Sequence, residues 1–251
     1  MSWSFKRRSI RAFGEEGERK NLAALDHPAS VGRIDRLNDW DSIVRSYLSA
    51  NVDTFIAHPG RHAKLQEALP PGASLVAHMS VGSTHLGSQG AKVIAYQLED
   101  IRRLDIDAVS VHVNIGDDYS LSSLKECARI IQQAEAFELP TLVMAYDSRN
   151  SKQGSAEGDP DPVRYCVELA TDIGAAAVKV DVTGLKGPGL QEVTHNAMIP
   201  VFLSGSERTP EEIRELLDAS TKFRGVVVGR TVFQAPDAYG AAHIINQPAE
   251  G

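Results

Sequence analysis

The chain has 251 residues, which leaves room for one large domain or two small ones at roughly 100–200 residues each. With 33 acidic and 26 basic residues its net charge is −7, which argues against a nucleic-acid-coating or membrane-surface protein. Two cysteines, Cys127 and Cys166, exclude a disulfide scaffold and a thiolate zinc site, and no apolar run approaches the roughly 20 residues of a membrane span.

Residues 1–20 are basic and polar, with Lys6, Arg7, Arg8 and Arg11, and lack the apolar stretch of a secretory signal. A cytoplasmic location and an N-terminal extension are the expectations. Eight short apolar runs follow: Leu22–Asp26, Thr54–His58, Ser74–His78, Ala108–Asn114, Thr141–Tyr146, Ala176–Val182, Pro200–Ser204 and Gly225–Gly229. Their near-continuous apolar character suits strands buried on both faces of a parallel sheet. Helical patterns lie between them. Ser122–Phe137 spaces Leu124, Ala128 and Ile131 on one face, and Asp161–Ile173 opens on an Asp-Pro start signal. Thr209-Pro210-Glu211-Glu212 reads as a capping box. Residues 239–251 read as a C-terminal tail.

This strand–helix alternation, eight times over, predicts an α/β fold: a single (β/α)8 TIM barrel spanning 1–251. An open doubly wound sheet is the alternative, weakened because no glycine-rich dinucleotide fingerprint follows the first strand. The longest polar loop, 147–161, falls on the face where barrels do chemistry and is expected to set specificity.

Polar residues at the C-terminal strand ends are the site candidates. Lys179 lies mid-strand in Ala175-Ala176-Ala177-Val178-Lys179-Val180-Asp181-Val182. Alternation puts Ala177, Lys179 and Asp181 on one face, toward the barrel interior, and the valines on the other. Burial disfavours a charged ammonium, and a neutral amine is what a Schiff-base nucleophile needs. A structural lysine paired with Asp181 is the other reading. Asp26, beside His27, can move protons or cap a helix, and Tyr146 can act as general acid or sit as a rim aromatic. His58, His78 and His112 end strands two, three and four, which suggests a metal cluster or a satisfied polar layer. A metal-dependent hydrolase would want His-x-His on the first strand, where this chain has Leu25-Asp26-His27, so no metal is expected. Phosphate is expected on the loops after strands seven and eight, at Ser204-Gly205-Ser206 and Gly229-Arg230.

Leu25-Asp26-His27, Ala108 to Gly116, Val178-Lys179, Pro200-Val201 with Gly205, and Gly225 to Gln234 appear in one order along residues 20–238. Together they resemble the archaeal-type class I fructose-bisphosphate aldolases, DeoC/LacD-like Schiff-base enzymes. That family also holds 2-amino-3,7-dideoxy-D-threo-hept-6-ulosonate synthase and the thiolase of autoinducer-2 breakdown. The resemblance implies an imine on Lys179, acid/base roles for Asp26 and Tyr146, and no cofactor or metal. It implies a small phosphorylated ketose as substrate, its phosphate near His27, Ser204, Gly205, Ser206, Gly229 and Arg230, and a homo-oligomer, up to a decamer. The chain departs from the family at Asp147-Ser148-Arg149, at Val180 to Leu185 and at Ser206. These changes fall around the acceptor mouth and in one phosphate loop. The expected activity is an aldolase or transaldolase on a dihydroxyacetone-phosphate-like donor. Thiolase-type acyl transfer to coenzyme A and a non-catalytic sugar-phosphate-binding barrel are the alternatives.

Overall fold

The computed structural model describes residues 1–247 apart from 33, 35, 36, 38, 83–90, 149–158 and 221. Most of the expected specificity loop, 149–158, therefore lies outside the described residues, as does the end of the tail.

All eight expected runs form strands: β1 Leu22–Ala24, β2 Thr54–Ala57, β3 Ser74–His78, β4 Ala108–Ile115, β5 Thr141–Asp147, β6 Ala177–Val180, β7 Val201–Ser204 and β8 Gly225–Val228. They pair in parallel and close into a barrel in the order β1-β8-β7-β6-β5-β4-β3-β2. The fold is a (β/α)8 barrel. Register places Lys179 between Met144 of β5 and Phe202 of β7. A two-stranded antiparallel hairpin, Ser80–Val81 with Val93–Ile94, follows β3.

Side-chain alternation separates two apolar layers. Val178, Val180 and Val182 join the layer between sheet and helices, while Ala177 joins the barrel interior. The interior layer includes Leu22, Val76, Ala108, Leu142 and Phe202 from the strands, with Ala12 and Phe13 from the N-terminal segment. It fills the lower barrel with hydrocarbon and leaves the upper end for polar groups.

The N-terminal extension is a helix, Trp3–Phe13, capped by Ser2 accepting from Phe5 N–H. Ala12 and Phe13 are fully buried in the interior layer, and the Phe13 ring meets Phe202 edge-on at 6.2 Å. Arg224 donates to the carbonyls of Phe13, Gly14 and Glu15 and anchors the end of the helix. Of the basic residues that gave this stretch a solvated look, Lys6 and Arg7 are exposed, while Arg8 donates to the Phe137 and Glu138 carbonyls and Arg11 to the Ala73 carbonyl, tying the helix to the barrel. The other terminus corrects the tail expectation: residues 239–246 belong to a helix, Ala238–Asn246, with Ala241, Ala242 and Ile245 buried. Its small Gly-Ala-Ala run buries little side chain per residue, so its core face is faint in the sequence.

The helices after the strands match expectation to within two residues, as Ser120–Ala136, Asp161–Asp172 and Pro210–Ala219, the last with the reciprocal Thr209–Glu212 capping box.

Candidate active site

A cavity of about 480 Å³ opens at the C-terminal end of the barrel. Its wall includes all nine expected site residues: Asp26, His27, Tyr146, Lys179, Ser204, Gly205, Ser206, Gly229 and Arg230.

Lys179 projects inward from β6 and is 8% exposed. Its Nζ lies 5.8 Å from the centroid of the Tyr146 ring. Asp181, the alternative partner, takes Thr183 Oγ1 at 2.8 Å and Arg208 Nη1 at 3.5 Å on its Oδ1. Arg208 also donates to the Ser204 carbonyl at 3.4 Å, tying the β6 loop to the β7 loop.

Asp26 lies just past β1, at the start of a short helix, His27–Val31, but its carboxylate makes no capping bond. Instead Oδ2 accepts from Ser30 Oγ at 3.1 Å and faces His78 Nε2 at 3.6 Å. Burial alone would raise its pKa, but His78, His27, Lys179 and His58 outweigh it and hold the acid well below the usual carboxylate range. Asp26 is thus an anion at neutral pH. Burial pushes His27 down to about 4 and His78 and His112 to about 3, so these rings are neutral there.

Tyr146 stacks on His112 with centroids 4.9 Å apart. Its hydroxyl is 3.4 Å from Ser204 Oγ, which accepts from Ser206 Oγ at 3.3 Å. The three hydroxyls form a chain from Tyr146 into the β7 loop. Ser206 takes a left-handed φ of 48°, a conformation Gly adopts more readily. At Gly229 a Cβ would sit 2.3 Å from His27 Cε1 and 2.6 Å from the Ala24 carbonyl, so only glycine fits. Arg230 follows, with Nη1 3.8 Å from Glu207 Oε1.

The three strand-end histidines do not assemble as ligands. His58 spans the carbonyls of His78 and Asp26, at 3.1 and 3.0 Å, and His112 Nε2 meets Asn114 Oδ1 at 2.8 Å. Among the described residues no cluster of three or more His, Cys, Asp or Glu could hold a metal ion.

Sequence reasoning missed three contributors. Lys92, beside the hairpin, lines the cavity and donates to the carbonyls of Ser30 at 2.9 Å and Gly82 at 2.6 Å; burial lowers its pKa. Ser30 braces Asp26. Tyr47, on helix Trp40–Ser49, donates to the Val228 and Gly229 carbonyls at 3.0 and 3.2 Å and steadies the β8 loop from behind. None sits at a barrel-strand end, the one positional signal the sequence offered.

The model of the DeoC/LacD family aldolases matches residues 20–235. The chain is 31% identical over 224 residues to 2-amino-4,5-dihydroxy-6-oxo-7-(phosphonooxy)heptanoate synthase of Streptomyces griseus, covering 88% of this chain and 81% of that one. It is 30% identical to 2-amino-3,7-dideoxy-D-threo-hept-6-ulosonate synthase of Halobacterium salinarum, over 87% of this chain and 82% of the relative. Its fold superposes with a TM-score of 0.81 on an archaeal fructose-1,6-bisphosphate aldolase solved with its catalytic lysine covalently bound to the carbinolamine intermediate. That match has 21% identity and covers 97% of this chain and 100% of the other. A family match across nearly the whole barrel, joined by two relatives at 30% identity or more, shows that the chain belongs to the DeoC/LacD family of aldolases.

Proposed function

We propose that this Schiff-base aldolase forms its imine on Lys179, with Asp26 and Tyr146 moving protons and the β7 and β8 loops holding a ketose phosphate. The observation that carries the reading is the position of Lys179. It is a buried amine in the cavity wall, 5.8 Å from the centroid of the Tyr146 ring and near enough to Asp26 to help keep that carboxylate ionised.

The amine attacks the donor ketone to give a carbinolamine, which loses water to an iminium. In cleavage, the proton of the β-hydroxyl leaves to a base. The C–C bond then breaks, its electron pair flows into the iminium to give an enamine, and the aldehyde departs. Protonation of the enamine and addition of water release the ketone and restore the lysine. In synthesis the same steps run backward. Asp26, ionised at neutral pH, accepts a proton, and the Tyr146 hydroxyl, aligned by Ser204, serves the second transfer. His27, Ser204, Gly205, Ser206, Gly229 and Arg230 line the phosphate end, where the absence of a Cβ at Gly229 lets the β8 loop pack against His27 and the Ala24 carbonyl, and Arg230 brings a cation for the phosphate. The Streptomyces relative's product carries, by its name, a ketone next to a phosphonooxy carbon. That pattern fits a dihydroxyacetone-phosphate-like donor here. Among the described residues no helix is long and apolar enough to cross a membrane. We read the assembly as a homo-oligomer in the cytoplasm, a matter for light scattering and fractionation.

Borohydride reduction with dihydroxyacetone phosphate, read by mass spectrometry, tests the proposal. The wild type should gain one reduced adduct on Lys179 and Lys179→Met none. No adduct on the wild type, or an undiminished adduct on Lys179→Met, overturns it.

A further inference from the structure

His58 and His78, which the sequence left open as metal ligands or members of a polar layer, pack edge to face near Asp26, with ring centroids 5.2 Å apart. His78 is fully buried. Its Nδ1 lies 2.8 Å from Ser110 Oγ on β4. Its Nε2 has no hydrogen-bond partner among the described residues and sits 3.6 Å from Asp26 Oδ2. A neutral imidazole carries one N–H, and its neighbours decide which nitrogen bears it. With the hydrogen on Nδ1, the Nε2 lone pair would face an ionised carboxylate in a buried, low-dielectric site. With Ser110 donating to Nδ1, the hydrogen sits on Nε2 and points at Oδ2. Electrostatics selects the second arrangement.

One hydrogen bond and one dipole then face the same oxygen: Ser30 Oγ donates to Oδ2 at 3.1 Å, and the His78 Nε2–H lies 3.6 Å away, beyond hydrogen-bond length, as an oriented dipole beside the charge. Oδ1 accepts no hydrogen bond among the described residues, and the His27 ring is 3.8 Å from it. The His58 ring lies between the carbonyls of Asp26 and His78 at the same corner and, with its one N–H, donates to one of them.

We propose that His78 is a positioning residue for Asp26. Ser110 sets its tautomer, its Nε2–H together with the Ser30 hydroxyl engages Oδ2, and Oδ1 is thereby the oxygen that works on substrate. This rests on the reading of Asp26 as a proton carrier. The other groups that face the carboxylate are His27 from its own helix, His58 just past β2, His112 from β4, Lys92 beside the hairpin and Lys179 from β6. All of them stay in place when His78 or Ser110 is changed.

The test measures kcat and kcat/KM against pH in the full-length enzyme, with active sites counted by borohydride capture of donor. His78→Leu should lower kcat about 10–100-fold while donor KM stays within about twofold, the scale seen when an outer partner of a working group is lost. The acid limb should move up by about one pH unit, because the carboxylate loses an N–H dipole oriented toward its charged form. His78→Gln, which keeps an N–H at similar reach, should recover most of the rate. Ser110→Ala leaves the ring but frees its Nδ1 to take the hydrogen. It should slow the enzyme about 3–10-fold and shift the same limb, and it decides alone if His78→Leu does not fold. Wild-type kcat and an unmoved acid limb in Ser110→Ala and in any folded His78→Leu overturn the proposal. Failure of the wild type to capture donor would count instead against the imine on Lys179.

Discussion

The amine of Lys179 lies over the ring of Tyr146 at 5.8 Å from its centroid, while the phenol oxygen reaches Ser204 Oγ at 3.4 Å. Ring and hydroxyl thus do different jobs, and a substitution can separate them. Tyr146→Phe keeps the packing on His112 and Lys179 but removes the proton-bearing oxygen. Its kcat should fall by about 10²–10⁴, the usual worth of a general acid or base, while borohydride still captures donor on Lys179. Loss of capture along with turnover would mean that the hydroxyl is needed to form the imine rather than to break the C–C bond.

Gly229 is held against His27 and the Ala24 carbonyl, which leave no room for a methyl group. Gly229→Ala must push the β8 loop away from β1, and Tyr47 resists by holding the Val228 and Gly229 carbonyls. The expected cost is about 1–3 kcal/mol of stability, as for other overpacked sites. Phosphate affinity should fall at least about tenfold, measured by titration calorimetry with inorganic phosphate. Gly205→Ala should be milder, since the nearest atom to its Cβ is a side-chain methyl of Val228 at 3.2 Å. Equal effects at the two glycines would argue against a phosphate site that depends on the close packing at Gly229.

The barrel was legible because parallel strands buried on both faces leave unbroken apolar runs, and strand alternation alone aimed Lys179 inward. Strand ends likewise marked Asp26, Tyr146 and the two loops. What stayed hidden depends on distant contacts. Lys92 reaches the cavity from a hairpin of two-residue strands, too short to carry a pattern. Tyr47 acts on the β8 loop from 181 residues away in sequence. Asp26 does stand at a helix start, where an N-cap is the common reading, yet its Oδ2 takes the Ser30 hydroxyl and faces His78. Phe13 ends a helix dominated by arginine and lysine, so its role as the floor of the barrel left no trace in composition.

That floor is testable apart from catalysis. Phe13→Ala empties a fully buried site against Phe202 and should cost about 3–5 kcal/mol, the range for removing a core phenylalanine. Urea unfolding followed by circular dichroism would show a lower midpoint with little change in slope. Because Phe13 fills the end of the barrel opposite the cavity, donor capture per folded molecule should stay at the wild-type level. An unfolding free energy within about 1 kcal/mol of wild type would show that the helix sits on the barrel without supporting it.

The buried histidines make stability depend on pH with a definite sign. His27 titrates at about 4 and His78 and His112 at about 3 in the folded chain, against 6.5 when exposed. The unfolded chain therefore binds more protons than the folded one from 6.5 down to these values, and stability must fall as pH falls through that window. Above 6.5 these groups contribute no slope. Asp26, held low, adds its own loss below its ordinary 3.8. Each fully differential proton is worth about 1.4 kcal/mol per pH unit. His112→Phe keeps a flat ring against Tyr146 and removes one titrating group. Its unfolding free energy between pH 6 and 4, from urea melts, should fall less steeply than the wild type's, by up to about 1.4 kcal/mol per unit. Parallel slopes would mean that His112 is already protonated in the folded enzyme, and the stacked pair would then have to be read as a cation on the face of a phenol.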